Sequence, residues 1–240
     1  DSYRMIIELR NESGEVMDSL SVTETTTGEI IMKSAAKGIR DISLELGGKN
    51  AGLVFADCDM DKAIEGTMRS AFVNCGQVCL GTERVYVERS IFDEFVSRLK
   101  EEAEKLRIGP PDDDKANFGP LVSLKHREKV LSYYQKAVED GATVVTGGGV
   151  QDMPEEYAGG AWVQPTIWTG LSEDSAVVTD EIFGPCCHIC PFDTEEEAIE
   201  LANRLPYGLA SAIWTENVSR AHRVAGQVEA GIIWVNSWFL

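Results

Sequence analysis

Basic residues are scarce in this chain. Its 240 residues include 22 Lys and Arg against 40 Asp and Glu, which gives a formal net charge of −18 at pH 7. Contacts with nucleic-acid phosphates or with anionic lipid headgroups need clustered positive charge, so the composition argues against a nucleic-acid partner and against a membrane partner. The acidic excess is instead typical of a protein whose net charge keeps it soluble.

Long apolar runs and disulfide-like cysteine spacings are absent as well. No stretch approaches the ~20 apolar residues of a membrane-spanning helix, and residues 1–4 do not lead a basic segment into an apolar one, so no signal peptide is predicted. The six cysteines lack the spacing of a secreted disulfide framework. We therefore expect reduced thiols and a cytoplasmic protein.

The sequence does contain a regular alternation of strand and helix patterns. Its length and its hydrophobic content of 43% fit one large domain or two small ones with a substantial core. Strands are predicted at 42–46, 52–56, 84–87, 187–192, 209–214 and 232–236, and an extended segment at 162–168. Helices are predicted at 27–37, 91–106, 123–140 and 194–205, with one more helix starting at 59 and another ending at 224. This alternation predicts an α/β fold with a largely parallel sheet flanked by helices.

Residues 1–22 follow a different pattern. Residues 3–9 and 16–22 have the composition of two strands, and residues 10–15 between them are typical of a turn. The sequence therefore predicts an N-terminal β-hairpin, whose origin is unclear, ahead of the α/β region.

Two candidate reactive groups lie beside glycines. Cys79 belongs to the segment Phe-Val-Asn-Cys-Gly-Gln-Val-Cys-Leu-Gly at 72–81, whose small residues let the backbone pack closely around the sulfur. Glu45 is placed on the predicted strand 42–46, just before Gly-Gly-Lys at 47–49. A thiol that attacks and a carboxylate that activates water are the parts of a covalent mechanism that ends in hydrolysis. Considered singly, Cys79 could be an inert buried cysteine and Glu45 a strand residue facing water.

The order of three motifs resembles the aldehyde dehydrogenase superfamily. The third is Glu-Ile-Phe-Gly-Pro at 181–185, and the resemblance extends from about residue 23 to residue 240. It implies that the Cys79 thiolate adds to an aldehyde to give a thiohemiacetal, that hydride then passes to NAD, and that a thioester remains. It further implies that the backbone N–H of Cys79 belongs to the oxyanion hole and that Glu45 activates the water that cleaves the thioester.

The same resemblance implies roles for five further residues. Glu181 would bind the hydroxyls of the nicotinamide ribose and Phe183 would pack on the cofactor, while His126 falls where some relatives place a polar residue near that ribose. Without the resemblance, Glu181 is a turn residue, Phe183 a core residue and His126 an exposed helix residue. Trp238 and Phe239 would line the mouth of the substrate site, or else serve as core or interface aromatics.

Two other cysteine arrangements are less favoured as sites. Cys75 precedes the Gly-Gln pair that the family nucleophile follows, so it is a poorer candidate than Cys79. Strand alternation would place Cys186, His188 and Cys190 on one face, which suggests three metal ligands. Zinc sites usually gather ligand pairs from turns, and no second pair exists, so we predict core residues here and no metal site.

Three segments point to one branch of the superfamily. Residues 53–59, 79–89 and 234–240 most resemble the enzymes that oxidise 2-hydroxymuconic semialdehyde in aromatic catabolism, with the aminomuconic semialdehyde and betaine aldehyde branches as alternatives. The resemblance also implies a homo-oligomer with a small-molecule aldehyde as substrate.

The predicted domain division separates residues 1–22 from residues 23–240. The first part is the β-hairpin and the second is the catalytic domain, and the dinucleotide-binding domain that the family places before it is expected to be absent from this sequence. Two hypotheses remain open at this point. The chain is an NAD-dependent aldehyde dehydrogenase, or it is a truncated or engineered domain of that family that folds, as an oligomer or not, without turnover.

Overall fold

The computed structural model describes residues 5–10, 16–22, 24–38 and 41–239, with side chains from residue 27 onward. The chain divides into two compact units, Asp1–Gly47 and Gly48–Leu240. Each unit has its own sheet, which contains two strands in the first unit and seven in the second.

The first unit contains an antiparallel pair of strands followed by a helix. Strand β1 (Met5–Arg10) pairs with β2 (Val16–Val22), and helix α1 (Glu24–Ala36) follows. The hairpin predicted for residues 1–22 is confirmed over these two strands, while the turn between them lies outside the described residues.

The strand predicted at 42–46 is wrong, because residues 41–49 have no regular secondary structure. The alternating apolar residues of this segment suggested a strand. A strand also needs a hydrogen-bonded neighbour, and residues 42–46 pair with none of the strands that the structure describes. Pattern alone could not show that this neighbour is missing.

The second unit is built on a seven-stranded sheet. Its strands are β3 (Asn50–Val54), β4 (Thr82–Glu88), β5 (Thr143–Thr146), β6 (Thr166–Thr169), β7 (Cys186–Phe192), β8 (Ala210–Trp214) and β9 (Ile232–Val235). They lie in the order β5-β6-β7-β4-β3-β8-β9, and every neighbouring pair is parallel except β5 with β6. The predicted α/β fold with a largely parallel sheet is confirmed.

Helices connect most of these strands. They are α2 (Met60–Phe72), α3 (Phe92–Ala103), α4 (Leu124–Glu139), the single turn α5 (Ala176–Thr179), α6 (Glu195–Asn203) and α7 (Val218–Ala225). Four of them begin at a side chain that accepts a hydrogen bond from the backbone N–H three residues later. These capping residues are Asp59, Ser123, Thr194 and Asn217.

The core lies on both faces of the sheet. All five residues of β3 are buried, as expected for a central parallel strand covered on both sides. Val54 contributes to the larger apolar cluster on one side, and Leu53 to the smaller cluster on the other. Among the helices of the described residues, none combines the length and the apolar character needed to span a membrane.

Candidate active site

The candidate site lies at the amino ends of the parallel strands of the second unit. Asn50 and Ala210 are the first residues of β3 and β8, Cys79 lies three residues before β4, and the 181–185 motif runs up to the start of β7. Ligand sites in open α/β sheets more often lie at the carboxyl ends. The position of this candidate site is therefore set by the loops that precede the strands.

A sharp turn leads from α2 into the Cys79 segment. Asn74, Cys75 and Gly76 have φ angles of 50°, 57° and 69°, in the left-handed region that non-glycine residues seldom adopt. Two hydrogen bonds hold this conformation. The Asn74 amide donates to the Gln77 carbonyl at 3.0 Å, and the Gln77 amide donates to the Asn74 carbonyl at 3.1 Å.

Cys79 itself is half-buried in a tight turn. The backbone N–H of Gly81 closes the turn by donating to the Val78 carbonyl at 2.8 Å. The side-chain amide of Asn50 donates to the carbonyls of Cys79 and Gly81, at 2.7 and 2.8 Å. Sequence reasoning missed Asn50, although its position directly after Gly-Gly-Lys was a usable signal.

Cys75 is placed less favourably for nucleophilic attack. It is buried, and its thiol donates to the Gly119 carbonyl, with 3.1 Å between sulfur and oxygen. Burial raises the pKa of the Cys75 thiol. Because the thiolate is the reactive form, this shift makes Cys75 a weak nucleophile.

The Cys79 loop packs directly against the loop that contains Glu-Ile-Phe-Gly-Pro. A Cβ atom on Gly76 would lie 2.1 Å from the carbonyl oxygen of Gly184, so the two backbones are in contact. Two of the three motifs from the sequence are thus neighbours in space. Only glycine allows this approach.

Glu181 is a half-buried residue of this second loop. One carboxylate oxygen accepts the backbone N–H of Gly48 at 2.9 Å. The Lys129 ammonium donates to the backbone carbonyl of Glu181 at 3.1 Å, so α4 also contacts this residue.

Phe183 has a left-handed backbone, with φ at 60°. The Glu83 carboxylate holds it there, because its two oxygens accept the N–H of Phe183 at 2.8 Å and that of Ile182 at 3.1 Å. Glu83 also forms a buried ion pair with Lys49. Neither Glu83 nor Lys49 was predicted, although a charged residue within a buried strand such as β4 calls for a partner.

His126 lies in the first turn of α4 and is only 3% exposed. The interpretation of His126 as an exposed helix residue is therefore wrong. Its Nε2–H donates to the Phe183 carbonyl at 2.6 Å, and the two rings lie 6.3 Å apart between centroids. Burial lowers the pKa of His126, so the ring is neutral at pH 7.

Trp238 and Phe239 lie beside the Cys79 turn and differ in exposure. Trp238 is 4% exposed, and its indole N–H donates to the Leu80 carbonyl at 3.1 Å. Phe239 is 52% exposed, and its ring centroid lies 5.4 Å from that of Trp238. Of the two residues, Phe239 is the one with a ring available to a ligand.

The structure thus connects Cys79, Glu181, Phe183, His126, Trp238 and Phe239 within the second unit through loop and strand contacts. Glu45 belongs to the first unit, where its side chain is exposed. Its predicted role as the base that activates water stays a prediction.

Two of the three cysteines of β7 are core residues, and the third, Cys190, is half-buried. Cys186 and Cys187 are buried. The His188 Nε2 already accepts a hydrogen bond from the Leu171 N–H at 3.2 Å, so this nitrogen is not available to a metal ion. Within the described ranges, no group of three or more His, Cys, Asp or Glu side chains is arranged to hold a metal ion.

Comparison with known proteins identifies the fold and the family. The structure superposes on the NAD+ complex of an aldehyde dehydrogenase from Bacillus cereus with a TM-score of 0.85, at 38% identity, covering 90% of this chain and 43% of that one. The chain is 81% identical over 217 residues to the 2-hydroxymuconic semialdehyde dehydrogenase of Pseudomonas putida, covering 90% of this chain and 45% of that protein. It is 42% identical over 216 residues to human 2-aminomuconic semialdehyde dehydrogenase, covering 89% of this chain and 44% of that protein. The chain therefore spans less than half the length of these relatives. The family model for the aldehyde dehydrogenase family matches residues 16–240, and the chain belongs to this family.

Proposed function

We propose that this chain carries the nucleophile-bearing part of an NAD-dependent aldehyde dehydrogenase whose substrate is 2-hydroxymuconic semialdehyde. The supporting observation is the close packing of the Cys79 loop against the 181–185 loop at Gly76 and Gly184. This packing brings a candidate nucleophile next to candidate cofactor residues. The substrate class rests on two Pseudomonas relatives of that name, which are 81% and 79% identical to this chain.

Cys79 is proposed to supply the nucleophile. Its sulfur forms a bond to the aldehyde carbon, and the carbonyl oxygen becomes an oxyanion that the backbone N–H of Cys79 stabilises. Bound NAD would supply the acceptor for the hydride of this adduct, and loss of that hydride would leave a thioester on the Cys79 sulfur. Glu45 is proposed to take a proton from the water that attacks the thioester, which releases the carboxylic acid and the free thiol.

Glu181, Phe183 and His126 are proposed to hold the nicotinamide end of the cofactor. The half-buried Glu181 carboxylate suits the two hydroxyls of a ribose, and the Phe183 ring suits the face of a nicotinamide. His126 is neutral and bound to the Phe183 carbonyl. We infer that His126 acts on the cofactor through Phe183 by fixing its position.

The proposal also covers the substrate mouth, the domain division, the oligomeric state and the location of the protein. Trp238 and Phe239 are proposed to line the substrate mouth, with the exposed Phe239 ring in contact with the aldehyde. Residues 1–22 and 23–240 are proposed as the hairpin and the catalytic domain. A homo-oligomer and a cytoplasmic location complete the proposal.

The decisive experiment is NAD-dependent oxidation of 2-hydroxymuconic semialdehyde, followed by the absorbance of NADH. We expect turnover that is abolished in Cys79→Ser and retained in Cys75→Ser, whose thiol lies four residues away and is buried. Glu45→Gln should allow one burst of NADH without steady turnover, because thioester hydrolysis is blocked. Absence of turnover in the parent chain would refute independent catalysis and favour a folded domain of this family without activity.

A further inference from the structure

Asn50 is a buried polar residue at the first position of β3, and only 4% of its surface is exposed. Its amide nitrogen donates to the carbonyls of Cys79 and Gly81 at 2.7 and 2.8 Å. Its amide oxygen accepts the N–H of Ala210 at 3.0 Å. These three partners fix the orientation of the amide, because a flipped amide would point its oxygen at two carbonyls.

We propose that Asn50 is a positioning residue for Cys79, an inference that rests on the proposed function. The peptide group between Val78 and Cys79 is held by the Gly81 N–H, which donates to the Val78 carbonyl at 2.8 Å. The peptide after Cys79 is held by Asn50 through the Cys79 carbonyl. Since each peptide is planar, the two contacts together fix the direction of the Cys79 N–H and of its Cα–Cβ bond.

This arrangement predicts which reactions of Cys79 depend on Asn50. Acyl transfer from p-nitrophenyl acetate forms an S–C bond, breaks the ester C–O bond, releases p-nitrophenolate and returns the thiol proton to solvent. It passes through an oxyanion, so it needs the Cys79 N–H in place. Alkylation by iodoacetamide forms an S–C bond and releases iodide and the thiol proton without an oxyanion, so it depends only on thiolate formation and access.

The test compares both reactions in Asn50→Asp, with mass spectrometry to locate the label. The substitution keeps the shape of the side chain but points a carboxylate oxygen at the Cys79 and Gly81 carbonyls, which displaces the turn. We expect acylation of Cys79 to slow by at least about tenfold, since loss of one oxyanion donor costs about 10²–10³. Both reactions use the thiolate, which the added carboxylate disfavours to the same extent in each, so the ratio of the acylation rate to the alkylation rate should fall by at least about tenfold.

Asn203→Asp is the matched control. The Asn203 amide makes the same two kinds of contact elsewhere in the chain. It donates to the Gln227 carbonyl and accepts the Glu229 N–H, both at 2.8 Å. We expect this variant to lose stability without changing the ratio of the two rates. If Asn50→Asp does not fold, as judged by circular dichroism, Asn50→Ala gives the same comparison without an added carboxylate.

The other outcomes are also informative. If the two rates fall together in the Asn50 variants, or if neither falls, Asn50 is only a structural residue and the inference is overturned while the proposed function stands. If Cys79→Ser takes up both labels as fast as the parent chain, Cys79 is not the reactive thiol. The proposed function then fails, and the inference fails with it.

Discussion

The backbone N–H of Gly48 donates a hydrogen bond to the Glu181 carboxylate, with 2.9 Å between nitrogen and oxygen. The next two residues also reach across the site, since Lys49 pairs with Glu83 and Asn50 binds the Cys79 turn. A Cβ at position 48 would lie 3.0 Å from the Cys79 carbonyl oxygen and 2.7 Å from the Asn50 side chain, so glycine is required there. Three consecutive residues thus connect the nucleophile loop with the candidate cofactor loop.

Glu83→Gln is expected to destabilise the chain strongly. The carboxylate neutralises Lys49, which is 1% exposed, and accepts the N–H groups of Ile182 and Phe183. Glutamine cannot neutralise the buried ammonium, and breaking one partner of a buried ion pair typically costs about 3–5 kcal/mol. Urea unfolding of both proteins would measure the loss in the free energy of unfolding.

Asp193→Asn is the control for the Glu83 variant. Asp193 pairs with Arg89 at the surface, where the two side chains are 56% and 57% exposed. An ion pair this exposed contributes little to stability, so the unfolding midpoint should barely move. A Glu83→Gln chain as stable as Asp193→Asn would show that the buried pair does not hold the 181–185 loop.

Gly76→Ala is expected to separate the two loops of the site. Gly76 has a φ of +69°, and an added Cβ would lie 2.1 Å from the Gly184 oxygen. The left-handed backbone alone costs alanine about 1–2 kcal/mol, and the collision adds about 1–3 kcal/mol. The free energy of unfolding and the rate of Cys79 acylation should both fall.

Gly141→Ala isolates the backbone cost. Gly141 also has a positive φ, +89°, but nothing lies within 4 Å of a Cβ at that position. This variant should lose only the backbone term and keep the parent reactivity of Cys79. Equal losses in the two variants would argue against a tight contact between the loops.

Local patterns in the sequence predict much of this structure. The alternation of strands and helices, the strand at 52–56 and the helix at 123–140 each depend on residues close in sequence. The strand at 42–46 was predicted by the same reasoning and is wrong, because a strand depends on a distant partner. The position of an apolar residue indicates a face but does not identify the neighbouring strand.

The residues that hold the site together were largely missed for the same reason. Asn50 and Glu83 contact carbonyl and N–H groups of loops 29 to 100 residues away along the chain. The resemblance to a family identified Cys79 and Glu181, which would contact ligands, and gave no indication of their supports. Glu83 and Arg84 lie inside the buried strand β4, and that conflict was a further signal in the sequence that partners must exist.

The stability of the chain is expected to fall with acidification through His188. Burial, aided by Lys49, lowers the pKa of His188 to about 4, and Arg84 lies opposite it in the neighbouring strand. The unfolded chain takes up the proton near pH 6.5, before the folded chain does. The contribution of neutral His188 to the free energy of unfolding is therefore fully present above about pH 6.5. It falls by about 1.4 kcal/mol per pH unit between about pH 6.5 and about pH 4.

His188→Gln tests this dependence. Glutamine removes the titrating group and keeps an acceptor for the Leu171 N–H. Between pH 6 and pH 5, the free energy of unfolding should fall less steeply in the variant than in the parent chain. The lowered pKa of His126 acts in the same direction in both proteins, so it cancels in the difference. If the free energy of unfolding fell equally with pH in both proteins, the pKa of His188 would be the same in the folded and the unfolded chain.

Five cysteines are held in the thiol form by their surroundings. Burial raises the pKa of Cys58 to about 11 and that of Cys187 and Cys190 to about 12, and it raises the pKa of Cys75 and Cys186 as well. At pH 8 these five groups are almost entirely protonated. Because alkylation proceeds through the thiolate, all five should react slowly while the chain is folded.

The proposed mechanism predicts that Cys79 is the first cysteine that iodoacetamide modifies. It is half-buried in a turn rather than enclosed in the core, and the proposed mechanism requires its sulfur to reach a ligand. Peptide mapping after short exposure at pH 8 would give the order of labelling, and Cys79→Ser should lose the fast phase while keeping the slow one. In urea all six cysteines should react at similar rates, because unfolding removes the burial that raises the other pKa values. If Cys58 or Cys190 were labelled ahead of Cys79 in the folded chain, Cys79 would lack the reactivity that the proposed mechanism requires.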